Sequence, residues 1–292
     1  MRLQHTALLA GLFALALPCP AQEKLQDAVD AAMRPHKGTA VVLDLRANKI
    51  IAAHDLDTAA RRVATPGSTM KTFVLLKLLE TGKAKPSERY VCPRRLRIAG
   101  RRLDCAHPDL PGPIDPLDAL AWSCNAYFAT AARRLTPQEL AAALRRAGLT
   151  SPTGFAEGEA LGNVKTAASE DQLELQALGE WGVMTTPLEL LKVYAGLAQR
   201  WDDANVRLVS EGMEHSVTYG MARAAHVDKV RIAGKTGTAA QPGSAGTHGW
   251  FVALAPAEKP EVAVVVYLER GRGLDAAALA QPILRSYFEG RR

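Results

Sequence analysis

Residues 39–54 read TAVVLDLRANKIIAAH, two runs rich in β-branched residues on either side of a polar Arg46-Ala47-Asn48-Lys49 turn. The pattern predicts a β-hairpin near the start of the chain. Strand signals return only at residues 230–238, 250–254 and 261–268, and the long interval between carries helix signals. Strands from both ends must then share one sheet. The fold class expected is mixed α+β, with the helical interval forming a second lobe and a site in the cleft between lobes.

Within the interval, Thr136-Pro137-Gln138-Glu139 and Thr186-Pro187-Leu188-Glu189 each match a capping box with proline at the first helical position. Another helix is expected from Ser169. Pro66-Gly67 punctuates the chain before Ser68-Thr69-Met70-Lys71-Thr72-Phe73-Val74-Leu75-Leu76, an apolar-rich helical run that stops at Gly82. Ser68 is thereby placed at the start of a buried helix. A last helix is expected over residues 275–288, disturbed by Pro282. With no internal repeat and no low-complexity linker, the mature chain reads as one unit.

Hydrophobic residues make up 48% of the 292 and charged residues 23%, which excludes disordered and fibrous classes. The net charge is +6, yet arginine pairs such as Arg94/Arg95 and Arg145/Arg146 are interspersed with acidic and apolar residues, as solvated faces are. No aromatic-interleaved basic motif and no zinc-spaced Cys/His set accompanies them. Nucleic acid is therefore not an expected partner, and neither a metal nor a cofactor is expected.

Arg2 precedes an apolar run from Ala7 to Leu17 and then Pro18-Cys19-Pro20-Ala21, the layout of a secretory signal. The run is shorter than the roughly 20 residues needed to cross a bilayer, and no later segment resembles a membrane span. Residues 1–21 are expected to be a cleaved signal peptide and 22–292 the exported domain, in the periplasm or cell envelope. Cys19 follows Pro18, a poor fit for a lipoprotein signal. Three cysteines remain, Cys92, Cys105 and Cys124. Cys92 and Cys105 flank a short Arg/Gly-rich loop that a disulfide would close in an oxidising compartment, and Cys124 is expected to be packed rather than reactive.

Three short motifs then follow in order: S-x-x-K at Ser68–Lys71, S-x-N at Ser123–Asn125, and K-T-G-T at Lys235–Thr238. On a helix, residues i and i+3 share a face, so Lys71 can reach the Ser68 hydroxyl. Serine is a poor nucleophile until a base takes its proton. Lys71 serves only if its pKa is depressed by burial and nearby positive charge, which Lys235 can supply. The free backbone N–H of Ser68 at the helix tip and that of Thr238 on an edge strand would form an oxyanion hole. Gly237 would leave room for substrate, while Lys235 and the hydroxyls of Thr236 and Thr238 would hold a carboxylate. Ser123 would relay a proton to a leaving amine, and Asn125 would anchor Lys71 or a substrate amide.

Each motif alone also has an ordinary reading, with Ser68 as a helix cap, Ser123 and Asn125 as a turn, and Lys235 as a surface lysine. Their ordered co-occurrence in an exported chain reverses that preference.

At these residues the chain resembles the transpeptidase domain of penicillin-binding proteins, especially the monofunctional class B type. Pro66-Gly67-Ser68-Thr69-Met70-Lys71 resembles the family's P-G-S-T-x-K block and Ser123-Cys124-Asn125-Ala126-Tyr127-Phe128 its S-C-N-x-x-F block. Glu159-Ala160-Leu161-Gly162 is similar to E-x-x-G, Thr186–Leu190 to T-P-L-Q-L, Ala233–Ala239 to A-G-K-T-G-T-A, and His248–Val252 to H-x-W-F-V. The resemblance implies a five-stranded antiparallel sheet flanked by helices, plus a helical lobe. It also implies covalent acylation of Ser68 by D-alanyl-D-alanine peptides of peptidoglycan or by β-lactams. Ala106-His107-Pro108-Asp109 and Gly179-Glu180-Trp181-Gly182 depart from the family's G-H-G and G-Q-G, on the acceptor side of the cleft. No segment is read as the usual N-terminal pedestal domain, so a stand-alone transpeptidase unit is expected.

Two other classes share the motifs. A β-lactamase or carboxypeptidase would pass the acyl group to water, and Glu159 and Asn163 have the i, i+4 spacing of a deacylating pair, although a plain loop carboxylate is the preferred reading of Glu159. A β-lactam-sensing module would stop at acylation, but the transmembrane signalling segment that would favour it is not seen.

Overall fold

The computed structural model describes residues 20–290 apart from Pro242 and Ser244. Residues 1–19 of the expected signal segment lie outside the described residues, and Pro20 and Ala21 open the first helix. Ten α-helices occur among the described residues, in chain order α1 (Pro20–Met33), α2 (Leu56–Arg61), α3 (Lys71–Glu80), α4 (Pro116–Ala121), α5 (Asn125–Ala132), α6 (Pro137–Arg146), α7 (Glu170–Ala177), α8 (Pro187–Ala198), α9 (Ala204–Thr218) and α10 (Gly273–Glu289). The strands are β1 (Gly38–Asp44), β2 (Lys49–His54), the short ladders β3 (Arg97–Ile98) with β4 (Arg101–Arg102) and β5 (Asn163–Val164) with β6 (Val183–Met184), then β7 (Ala233–Ala240), β8 (Thr247–Ala255) and β9 (Val262–Leu268).

Residues 39–54 form the expected hairpin, and its partners come from the other end of the chain. The main sheet has the order β2-β1-β9-β8-β7, antiparallel throughout. Side chains alternate across it. Val41, Leu43, Val252, Leu254, Ala263 and Val265 join the core under the helical lobe, whereas Ala40, Val42, Phe251, Ala253, Val264 and Val266 pack against α1 and α10. Each fully buried large apolar side chain stabilises by roughly 1.5–3 kcal/mol. A helix cap contributes about 1 kcal/mol, so burial on both faces of the sheet, rather than capping, holds the layers together.

Both capping boxes form, at Thr136/Glu139 and Thr186/Glu189, and Ser169 caps α7 through the Gln172 N–H. Strand β7 starts at Ala233 rather than Val230, because Val227 and Val230 pair across a tight turn that contains Lys229 at φ +64°. Helix α10 runs unbroken through Pro282. The residue four before it, Ala278, and Pro282 itself are both exposed, so the carbonyl that proline leaves unpaired faces water. No described helix is long and apolar enough to cross a membrane.

Candidate active site

Ser68 lies in a 3₁₀ turn, Gly67–Met70, that leads directly into α3. The turn is packed against β7. Gly67 has φ +55°, and a Cβ there would fall 2.6 Å from the Thr238 carbonyl oxygen and 3.1 Å from its nitrogen. Only glycine allows both that conformation and that approach. The Gly67 N–H donates to Gly179 O at 3.1 Å, the Thr69 hydroxyl to Pro66 O at 3.0 Å, and the Trp250 indole to Thr65 O at 2.9 Å. Thr69 and Met70 are buried while Ser68 remains half-exposed, so the turn presents one hydroxyl to solvent.

Lys71 is fully buried. Its ammonium donates to Ser123 O at 2.7 Å, Ser123 Oγ at 3.2 Å and Asn125 Oδ1 at 2.5 Å, and lies 5.6 Å from the Phe128 ring centroid. Burial lowers its pKa to about 8, against the opposing pull of the Cys124, Cys105 and Glu180 charges. Lys235, also fully buried, donates to Ser123 Oγ at 3.0 Å and to Thr236 O at 2.9 Å. Its pKa falls well below the ordinary lysine value, first through burial and then through the charge on Lys71. Burial is the first cause of both shifts, as the sequence reading required for Lys71, and two ammonium groups facing one hydroxyl disfavour each other's charge.

Ser123 can face both ammonium groups because it joins α4 to α5 at φ +53°. A non-glycine residue held in the left-handed region costs of order 1 kcal/mol. The twist turns its carbonyl and hydroxyl toward Lys71, and Cys124 caps α5 so that Asn125 begins it. The Asn125 amide donates to Leu103 O at 3.0 Å, which leaves Oδ1 for Lys71.

Strand β7 is the open edge of the sheet. Lys235 and Gly237 alternate with Thr236 and Thr238 along it, and Thr238 is exposed. The Thr238 hydroxyl accepts from the Gly273 N–H at 2.8 Å, at the start of α10. At Gly237 a Cβ would meet Pro66 O at 2.5 Å and the Thr69 methyl at 2.8 Å, so the packing of the serine turn by itself requires glycine there.

The disulfide expected between Cys92 and Cys105 is not formed. Their Sγ atoms stand 3.6 Å apart, and Cys124 Sγ is comparably near, 3.4 Å from Cys92 and 3.8 Å from Cys105. All three are free, because the thiols converge on one point together with His107 rather than pairing off. The sequence did not anticipate that convergence: Cys92, Cys105, His107 and Cys124 bring four potential donor atoms within 4.8 Å of one another. The spacing, C-x12-C-x-H-x16-C, matches no familiar zinc pattern and hid the set.

Glu159 is committed to its own loop. It accepts from Thr153 N at 2.6 Å, the Thr153 hydroxyl at 2.7 Å, Phe155 N at 2.9 Å and Ala156 N at 3.0 Å. Burial would raise its pKa, but these bonds hold it below the ordinary value. Asn163 pairs with Met184 in the β5–β6 ladder and is exposed. The Gly162 N–H donates to the Glu189 carboxylate at 2.9 Å, so the E-x-x-G and T-P-L-E-L segments brace each other.

Tyr194 on α8 was not singled out by the sequence. Its hydroxyl donates to Thr69 O at 2.7 Å and lies 2.8 Å from the Thr72 hydroxyl, which fixes the serine turn from below. The available signal was a phenol on the apolar face of a helix, where a buried hydroxyl needs a partner.

A family model described as the penicillin binding protein transpeptidase domain matches residues 38–289. Among curated proteins, the peptidoglycan D,D-transpeptidase PbpA of Mycolicibacterium smegmatis is 28% identical over 273 residues, covering 79% of this chain and 55% of that protein. Stage V sporulation protein D of Bacillus subtilis is 26% identical over 250 residues, covering 71% of this chain and 38% of that protein. The chain thus spans about half the length of the first of these relatives, and less of the second. In fold it is similar to the D,D-transpeptidase domain of a peptidoglycan glycosyltransferase from Eggerthella lenta, with TM-score 0.79, 22% identity, and coverage of 92% of this chain and 81% of that one. It is also similar to the penicillin-binding protein PBP2 of Helicobacter pylori, with TM-score 0.82, 19% identity, and coverage of 91% and 63%. The family match runs from the first strand of the sheet to the end of α10 and takes in the serine turn, the Ser123 corner and the edge strand, so this chain belongs to the penicillin-binding protein transpeptidase domain family.

Proposed function

We propose that the chain is a serine acyltransferase acting on D-alanyl-D-alanine peptides of peptidoglycan through an acyl-Ser68 ester, and that β-lactams acylate the same serine. The observation that carries this reading is the convergence of two buried lysines on one hydroxyl, Ser123 Oγ, at 3.2 Å from Lys71 and 3.0 Å from Lys235. Burying two ammonium groups side by side is costly for stability, and such perturbed groups cluster where chemistry is done.

In this reading neutral Lys71 takes the Ser68 proton as Oγ attacks the carbonyl carbon of the penultimate D-alanine. The N–H groups of Ser68 and Thr238 stabilise the oxyanion. Ser123 then gives its proton to the departing D-alanine nitrogen as the C–N bond breaks, and is reprotonated from the lysine pair. Lys235 and the hydroxyls of Thr236 and Thr238 hold the substrate carboxylate. An amine from a second stem peptide attacks the ester, and Ser68 regains its hydrogen. Asn125 holds Lys71 in place throughout. The engagement of Glu159 by its own loop supports transfer over hydrolysis. With residues 1–21 as a signal segment, the protein acts in the periplasm or cell envelope, where its substrate lies.

Fluorescent penicillin tests the proposal. The mature protein should be labelled covalently and keep the label for hours, Ser68→Ala should take none, and Glu159→Gln should release label no more slowly than the parent. Labelling that survives in Ser68→Ala, or release within seconds, would overturn it.

A further inference from the structure

The geometry points to a structural zinc site formed by Cys92, Cys105, His107 and Cys124, a cluster that braces the Ser123–Asn125 corner from behind.

Four of the six donor separations lie close to those of a tetrahedron, and the other two are within 4.8 Å. Thiolates about 2.3 Å from a zinc ion stand about 3.8 Å apart, and a thiolate and an imidazole nitrogen about 3.6 Å apart. The three Sγ–Sγ separations are 3.4, 3.6 and 3.8 Å, and Cys92 Sγ lies 3.5 Å from His107 Nε2. A disulfide would need two sulfurs at about 2.0 Å, and three thiols sharing one point leave none of them a preferred partner.

The surroundings are those of ligands. His107 Nδ1 lies 2.8 Å from Pro108 O, which fixes the proton on Nδ1 and aims the Nε2 lone pair at the sulfurs, as outer contacts of metal-bound histidines do. Each sulfur also receives one backbone N–H at 3.4 Å, from Arg94 to Cys92, from Ala126 to Cys105 and from Tyr127 to Cys124. Such donors stabilise thiolates. Cys105, His107 and Cys124 are 5%, 1% and 0% exposed, so the site is closed to solvent on most sides. Packing of apolar thiols alone does not explain a buried imidazole nitrogen directed into them. Three soft sulfurs and one imidazole select zinc over magnesium or calcium, and four protein donors leave no open position, which makes the role structural.

Its placement gives it a consequence. Cys124 lies between Ser123 and Asn125, and the chain from Cys92 to Cys105 carries Leu103, whose carbonyl accepts from the Asn125 amide. A metal joining Cys92, Cys105 and Cys124 would therefore lock this loop to the corner that holds Lys71. This effect on acylation rests on the proposed function, whereas metal binding rests on the donor set alone.

Protein purified under reducing conditions should contain one zinc ion per chain by elemental analysis, and treatment with a thiol-modifying mercurial should release it to a chromogenic chelator. Cobalt(II) exchanged into the site should show the intense visible absorption of tetrahedral thiolate coordination. Cys92→Ser, at the most accessible ligand, should lower zinc content and melting temperature, and His107→Ala should do the same. Metal removal should slow penicillin labelling while Ser68→Ala leaves zinc content unchanged, which separates this proposal from the nature of the reaction. A protein with three reactive thiols and no metal, or one with a disulfide within the set, would overturn the assignment, as would octahedral cobalt spectra.

Discussion

Lys235 Nζ lies 3.0 Å from Ser123 Oγ across 112 residues of sequence, and Lys71 reaches the same oxygen at 3.2 Å. Both lysines are wholly buried, and no carboxylate is hydrogen-bonded to either among the described residues. The site thus holds two buried amines whose charging is opposed by the loss of water around them.

Lys235→Met removes one of them while keeping the volume of the side chain. Acylation by fluorescent penicillin should slow by roughly 10²-fold, and the melting temperature should stay level or rise, as happens when a strained functional group is replaced. Stopped-flow labelling and thermal denaturation measure the two effects. An unchanged rate with a lowered melting temperature would assign Lys235 to structure instead.

The acylation rate should depend on pH. Burial disfavours the ammonium form of Lys71 and brings its pKa to about 8, so below that pH the proton is in place and the amine cannot accept another from Ser68. The second-order rate constant should climb with pH through about 8 as Lys71 loses its proton. Lys71→Arg cannot deprotonate and should lack the rising limb. A profile flat from about pH 6 to 9 would exclude a lysine base.

Tyr194→Phe removes the hydroxyl between Thr69 O and the Thr72 side chain. The loss of a buried partner for two polar groups should cost about 1–3 kcal/mol by chemical denaturation. Acylation should fall several-fold through misplacement of the turn, with the pH profile unshifted.

Gly67 and Gly82 form a matched pair for backbone chemistry. Both have positive φ, but a Cβ on Gly67 would collide with Thr238 while one on Gly82 would meet nothing within 4 Å. Gly67→Ala should destabilise by roughly 2–4 kcal/mol and abolish labelling. Gly82→Ala should cost about 1 kcal/mol and leave labelling intact. Equal behaviour of the two variants would mean that the contact between the serine turn and β7 is unimportant.

What could be read from the sequence was what neighbours in the chain encode. The hairpin at 39–54 and the boxes at Thr136/Glu139 and Thr186/Glu189 depend on residues a few positions apart, and all three formed. The alternation that buries Val41 and Val42 on opposite faces is likewise local. The left-handed Ser123 was not legible, because nothing in its own residue type requires φ +53°; tertiary contacts hold it there. Tyr194 looked like one more apolar-face aromatic. The cysteines misled because nearness along the chain favoured pairing Cys92 with Cys105, whereas the fold adds Cys124 and His107 from separate segments.

The sheet order has a further consequence, for how the protein comes into being. Strand β9, the central one, is the last to emerge during synthesis, and β1 pairs with it from Gly38↔Leu268 to Asp44↔Val262. Until then β1 and β8 have no strand between them, and the edge carrying Lys235 has no fixed place relative to Ser68. Assembly waits for contacts between distant parts of the chain, the kind that fold slowly. A nascent or C-terminally clipped chain therefore carries the Ser68 turn without the strand that packs against it.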